Sequence, residues 1–143
     1  MSKIFLDTNI LLYTLDENDK DKQKNARKIV QTVIEQETPV ISTQILQEFY
    51  VASTSKLGVE ALLAKSILHS FENMEVVRID PYLIREAIDA SILNQISFWD
   101  SLVVVAAGSA KCEALYTEDL NAGQIIRGVK IENPFHAYPA SSS

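Results

Sequence analysis

Lys3-Ile4-Phe5-Leu6-Asp7-Thr8-Asn9 is the stretch on which the reading of this chain turns. An apolar run that ends in a carboxylate reads as a short buried strand. The Thr and Asn behind it, followed by Ile10-Leu11-Leu12-Tyr13, turn that strand into a helix. In an open parallel sheet, ligands bind in the crevice outside the carboxyl ends of the strands, so an acid at such a junction faces whatever binds there. Asp7 serves equally well as a helix cap that satisfies free backbone N–H groups. On this stretch alone both readings stand.

Outward from this junction, short apolar runs alternate with longer amphipathic ones, the pattern of an α/β fold. Strands are expected at Val40–Ser42, Glu75–Asp80 and Ala114–Thr117, with a fifth at Gly128–Ile131 on the sheet edge. Helices are expected at Lys22–Glu37, from Gln44 to about Ser55, from Gly58 to about Phe71, and at Tyr82–Leu93. Ala26, Ile29, Val30, Val33 and Ile34 form the inward stripe of the first of these helices, and Leu83, Ile84, Ala87, Ile88 and Ser91 that of the last. A further helix opens at Ser97; its body, Leu102–Ala107, is apolar on every side, which places it in the core. His69 reads as a structural residue among core-type neighbours.

With 143 residues, 47% of them hydrophobic, and only four Gly and four Pro, the chain has room for one domain, 1–143, with no long linker. Residues from about 137 to 143, ending Ser141-Ser142-Ser143, are expected to fray. No apolar run is long enough to span a bilayer and no charged leader precedes a long apolar stretch, so a soluble, cytoplasmic protein is expected. The single Cys112 has no partner for an intramolecular disulfide and reads as a buried thiol in a helical setting. A net charge of -6 argues against a general polyanion binder. The densest basic cluster, Lys22, Lys24, Arg27 and Lys28, is either a solvated helix face or an RNA contact. Lys56, Arg78 and Arg127 are further cations able to hold a phosphate backbone.

Four acids occupy equivalent places in this plan. Asp7 follows strand one and Asp119 follows strand four. Glu48 flanks the inward stripe Ile45-Phe49-Ala52 of the helix after strand two, and Asp100 lies in the first turn of the core helix. Each has an ordinary explanation: a surface salt bridge for Glu48, a capping box with Ser97 for Asp100. In one parallel sheet, however, all four face one crevice. Carboxylates about 5 Å apart repel by roughly 3 kcal/mol per pair at an effective dielectric near 20, so the group demands protons or cations. Oxygen-only donors select Mg²⁺ or Mn²⁺ over zinc. Such ions turn bound water into a nucleophile and polarise a phosphodiester. Asp7, Asp100 and Asp119 would hold metal, Glu48 would bind it through water or orient the attacking water, and Thr8, Asn9 and Thr117 would support them with hydrogen bonds.

Phe5-Leu6-Asp7-Thr8-Asn9, Gln47-Glu48-Phe49, Trp99-Asp100-Ser101 and Thr117-Glu118-Asp119-Leu120 resemble, in order and separation, the four acidic motifs of PIN domains. The resemblance covers essentially the whole chain. It implies a three-layer α/β/α sandwich around a mainly parallel sheet of about five strands, and a metal-dependent nuclease acting most often on RNA. Similar single-domain members are commonly VapC-type toxins, held inactive by a small antitoxin and often homodimeric. Glu118 and Asp119 are adjacent; the threonine-x-aspartate pattern of the family selects Asp119. Two other classes compete. Haloacid-dehalogenase-like phosphatases also place an aspartate nucleophile after strand one, but need a second Asp where this chain has Asn9. A catalytically silent binding or scaffolding module would use the same acids as caps and surface charges.

Overall fold

The computed structural model describes residues 2–138. In chain order the elements are β1 (Lys3–Leu6), α1 (Thr8–Tyr13), α2 (Lys20–Gln36), β2 (Thr38–Ser42), α3 (Thr43–Ser55) and α4 (Ala61–Phe71). They continue with β3 (Glu75–Val77), α5 (Pro81–Asn94), α6 (Phe98–Ser109), β4 (Ala114–Tyr116), β5 (Ile125–Ile126), β6 (Val129–Glu132) and a 3-10 turn at Pro134–Ala137. The strands form one sheet ordered β3-β2-β1-β4-β6-β5, and every pairing but β5 with β6 is parallel. With helices layered around this sheet, the α/β/α architecture expected from the motifs is what the chain adopts.

The chain first builds outward from β1 through β2 to β3, then returns to the other side of β1 with β4. The strand order therefore reverses between β1 and β4, and in such sheets that reversal opens the crevice in which ligands bind. Phe5 and Leu6 of β1, Val40 and Ile41 of β2, and Leu115 of β4 are fully buried beneath it. These strands read as continuous apolar runs because a parallel sheet is covered on both faces.

Helix α6 is apolar all round because it packs in two directions. Val103, Val104, Ala106 and Ala107 join the main core with the sheet residues, while Leu102 and Val105 meet Leu83, Ala87 and Ala90 of α5 in a second cluster. The inward stripe of α5 is therefore Leu83-Ala87-Ala90, and Ile84 and Ile88 are exposed, contrary to expectation. The two alanines let α5 lie close against α6, and proximity outweighs the larger side chains one position along.

The sheet has six strands where about five were expected. The missed one, β5, lies at the edge, and β6, expected there, lies one place in. Arg127 and Gly128 join them with φ values of 53° and 78°, both positive as a two-residue hairpin turn requires. The third strand is also shorter than expected, and Asp80 beyond it caps α5 by accepting from the Leu83 N–H at 2.9 Å. Helix α4 begins at Ala61, since Gly58, with φ at 69°, belongs to the turn before it. His69 is exposed beside Glu72 and takes no part in the core. Cys112 is buried, as expected, but in the turn after α6. Of the expected frayed tail, Ala137 closes the 3-10 turn and Tyr138 packs against the core; 139–143 lie outside the described residues. Among the described residues no single helix is long and apolar enough to cross a membrane.

Leu115 sits at full burial on β4, between β1 and β6. Leu115→Ala is expected to lower the unfolding free energy by about 2–5 kcal/mol, measured by urea denaturation.

Candidate active site at the strand-order reversal

Asp7 follows β1, caps α1 and is only 6% exposed. Its Oδ1 accepts from the Thr8 amide at 2.7 Å and its Oδ2 from the Thr117 hydroxyl, also at 2.7 Å. The second bond crosses the strand-order reversal, because Thr117 follows β4. Capping does not remove Asp7 from the crevice: one oxygen caps while the residue lines it. Burial pushes its carboxyl up from 3.8 to about 6; the bonds from Thr117 and Thr8 work against that rise, and the charges of Asp119 and Glu48 add to it.

Thr117 is fully buried and its hydroxyl works twice. It donates to Asp7 and accepts from the Asp119 N–H at 3.0 Å, so the loop after β4 is tied to the end of β1. The adjacent acids then separate. Glu118 forms an ion pair with Lys22 of α2 and a hydrogen bond with the Tyr13 hydroxyl, whereas Asp119 lines the crevice.

Glu48 reaches the crevice from α3. The Thr8 hydroxyl donates to its Oε1 at 2.8 Å, and the Gln44 side-chain amide lies 3.5 Å from its Oε2. The same Gln44 amide donates to the backbone carbonyl of Trp99 at 3.2 Å, which links α3 to the first turn of α6. Glu48 has no basic partner among the described ion pairs. Asp100 stands in that first turn, and its N–H donates to the Ser97 hydroxyl at 3.0 Å, the capping contact expected. Burial raises the Asp100 carboxyl; its own hydrogen bond with Ser97 opposes the rise and Asp119 adds to it.

Asp7, Glu48, Asp100 and Asp119, from four separate parts of the chain, therefore line one cavity of about 520 Å³ together with Thr8 and Asn9. A second cavity, about 590 Å³, lies between α2, β6 and the 3-10 turn and holds none of the four. Size does not choose between the two; the chemistry of the walls does. Among the described residues no three His, Cys, Asp or Glu side chains converge closely enough to ligate one ion unaided. The cavity still fits a hard cation that keeps part of its water shell. Its acidic donors are all oxygen, and both polar atoms of the Asn9 side chain are buried there without a hydrogen-bond partner. Mg²⁺ in particular retains several waters and takes few carboxylates.

Of the cations considered from sequence, Lys56 lines the cavity. Arg127 is tied to Glu86 of α5 at 2.8 Å, and Arg78 is exposed and outside the cavity lining. In the α2 cluster, Lys22 is engaged with Glu118, and Arg27 donates to the Thr14 carbonyl at 2.8 Å. Sequence reasoning missed Gln44 as a link between two acid-bearing helices. The signal was its place four residues before Glu48, on the same helix face.

The sequence profile of the PIN domain matches residues 4–126. No curated protein matches the sequence. Among solved structures, the chain is similar to VapC20 of Mycobacterium tuberculosis, a toxin that cleaves the sarcin-ricin loop. The TM-score is 0.65 at 16% identity, over 81% of this chain and 89% of that one. It is also similar to VapBC2 of Rickettsia felis bound to a promoter DNA fragment, with a TM-score of 0.63 at 20% identity over 91% and 97% of the two chains. DNA-bound VapBC of Salmonella typhimurium gives a TM-score of 0.63 at 20% identity over 92% and 98%.

An acid that holds its proton more firmly folded than unfolded makes the fold less stable as pH rises between the two values. For Asp7 that window runs from 3.8 to about 6, a difference of roughly 3 kcal/mol. Asp7→Asn, which keeps the shape and removes the charge, is therefore expected to melt above the parent in EDTA at about pH 7.5. The gap should close towards about pH 4. Thermal unfolding of both proteins across this range checks it, and a variant less stable at every pH would overturn it.

Proposed function

Because this chain belongs to the PIN domain family, we propose that it is a Mg²⁺- or Mn²⁺-dependent endoribonuclease, working in the cytoplasm as the toxin of a toxin–antitoxin pair. The observation that carries this reading is the meeting of four sequence-distant carboxylates in one cavity at the strand-order reversal. Four acids in one cavity favour a shared role over separate duties as caps and surface charges, which counts against the scaffolding reading.

Asp7, Asp100 and Asp119 would hold the ion, with Thr8, Asn9 and Thr117 behind them. When bound, it neutralises the acids and polarises the phosphodiester. The remaining work belongs to the chain. Thr117 fixes the Asp7 carboxylate at one oxygen and the Thr8 amide fixes the other, so this acid does not reorganise during reaction. The Thr8 hydroxyl holds Oε1 of Glu48, and Oε2, with only the long Gln44 contact, would orient the attacking water. As the water oxygen bonds to phosphorus and sheds a proton, a bridging P–O bond breaks and the departing oxygen takes up a proton, so that one water is added across the bond. No covalent bond to the enzyme forms.

A protein partner is supported by the surface. Leu62 and Leu63 of α4 and Ile84, Ile88, Ile92 and Leu93 of α5 are large, apolar and exposed, more than a solitary domain gains from leaving in water. A small antitoxin and a second copy of the chain are the partners this reading assigns to these faces. The VapBC structures among the chain's neighbours support the first.

Purified protein incubated with mixed single-stranded RNA is expected to cleave it with Mn²⁺ and not with EDTA. Asp7→Asn and Glu48→Gln should each reduce the rate by about 100-fold or more, and Thr8→Val by about 10- to 100-fold. Equal cleavage by parent and Asp7→Asn would identify a contaminant and sink the reading.

A further inference from the structure

The cavity lining is of two chemical kinds. Besides the four acids, Trp99 and Val51 line the cavity with apolar surface and are 62% and 61% exposed. A tryptophan left this open beside a functional cavity is unusual for a residue that normally buries most of its surface. Its position is nevertheless well defined. The ring meets Phe98 edge to face, with centroids 5.0 Å apart, and the Trp99 carbonyl is held by Gln44. Lys56, just beyond α3, is the sole basic residue among those lining the cavity and has no ion-pair partner among the described residues.

We propose that Trp99 and Lys56 form a nucleotide subsite, in which an unstacked base lies on the Trp99 indole beside Val51 and Lys56 contacts a neighbouring phosphate. The proposal rests on the ribonuclease reading of the same cavity and adds how the strand is held there. A nucleic-acid strand presents flat apolar faces and anionic linkers in alternation, and an aromatic surface, a cation and four acids share the lining of this one cavity. Stacking on an aromatic side chain requires a base free of its helix, so the subsite takes single strands and excludes duplex. An apolar or acidic peptide is the rival occupant. A peptide gives no reason for an aromatic side chain, a cation and four acids to line one cavity, whereas a phosphodiester strand held through a bound cation uses all three features.

Trp99 is the only tryptophan in the chain, so its fluorescence reports on this subsite alone. Asp7→Asn protein with Mn²⁺ is titrated with a short single-stranded RNA, with the same length of abasic strand and with a blunt duplex. Saturable quenching by the first and little by the other two is expected, and Lys56→Ala should weaken binding by about 5- to 20-fold. In the cleaving enzyme, Trp99→Ala should raise KM by about 5- to 50-fold with little change in kcat, and Trp99→Phe should recover most of the loss. Because the side chain is exposed, these variants are expected to melt with the parent. Equal quenching by the abasic strand would overturn the subsite. So would an unchanged KM in Trp99→Ala, including the case in which that variant loses only a protein partner. Base-dependent quenching in a protein that cleaves nothing would keep the subsite and remove the nuclease reading; cleavage with an unchanged KM would do the reverse.

Discussion

A carboxylate kept almost out of water at the end of a central strand is an unstable thing to build, and the rest of the molecule is arranged around it. Asp7 receives one backbone and one hydroxyl hydrogen bond, yet burial and two neighbouring acids still push its carboxyl to about 6. Two donors are too few to offset desolvation at this depth. The charged form of Asp7 is therefore costly in this setting, and either a proton or a nearby cation would lower that cost. The sheet order serves the same end, because only beside the strand-order reversal can a side chain after β1 reach one after β4.

Three consecutive residues illustrate how finely the backbone divides similar chemistry. Thr117 faces inward and joins two strands, Glu118 turns outward to Lys22 and Tyr13, and Asp119 turns to the crevice. The outer contact is more than a lone surface pair. The Lys22 ammonium also lies 4.6 Å from the Tyr13 ring and 4.3 Å from the Phe135 ring, and those rings meet edge to face. Cation, anion and aromatics together hold the loop whose next residue is Asp119. A basic residue that reads from sequence as part of an RNA-binding or solvated patch is engaged in positioning this loop.

How far the sequence reaches can be traced residue by residue. Strands β1, β2 and β4 are plain because buried parallel strands must be apolar throughout, and the four acids stand out because Asp7 and Asp119 follow such strands, Asp100 opens a buried helix and Glu48 flanks the buried stripe of another. Strand β5 is hidden by its length of two residues and by a turn, Arg127-Gly128, that lacks the common Asn-Gly or Asp-Gly signal. The face of α5 is misread because periodicity marks stripes without saying which one a neighbouring helix will approach; small alanines decide that, and α6 supplies the reason. His69 and Lys22 are misjudged for a related cause. Whether a polar side chain meets water, an ion or a ring depends on residues distant in sequence, as Glu118 is from Lys22.

The rims of the sheet carry one more implication. Strand β3 at one margin has three residues and β5 at the other has two. So little free backbone gives a visiting peptide almost nothing to zip onto as an added strand. The broad surfaces this fold leaves to other molecules are therefore side-chain surfaces on its helices, with almost no open backbone at the rims.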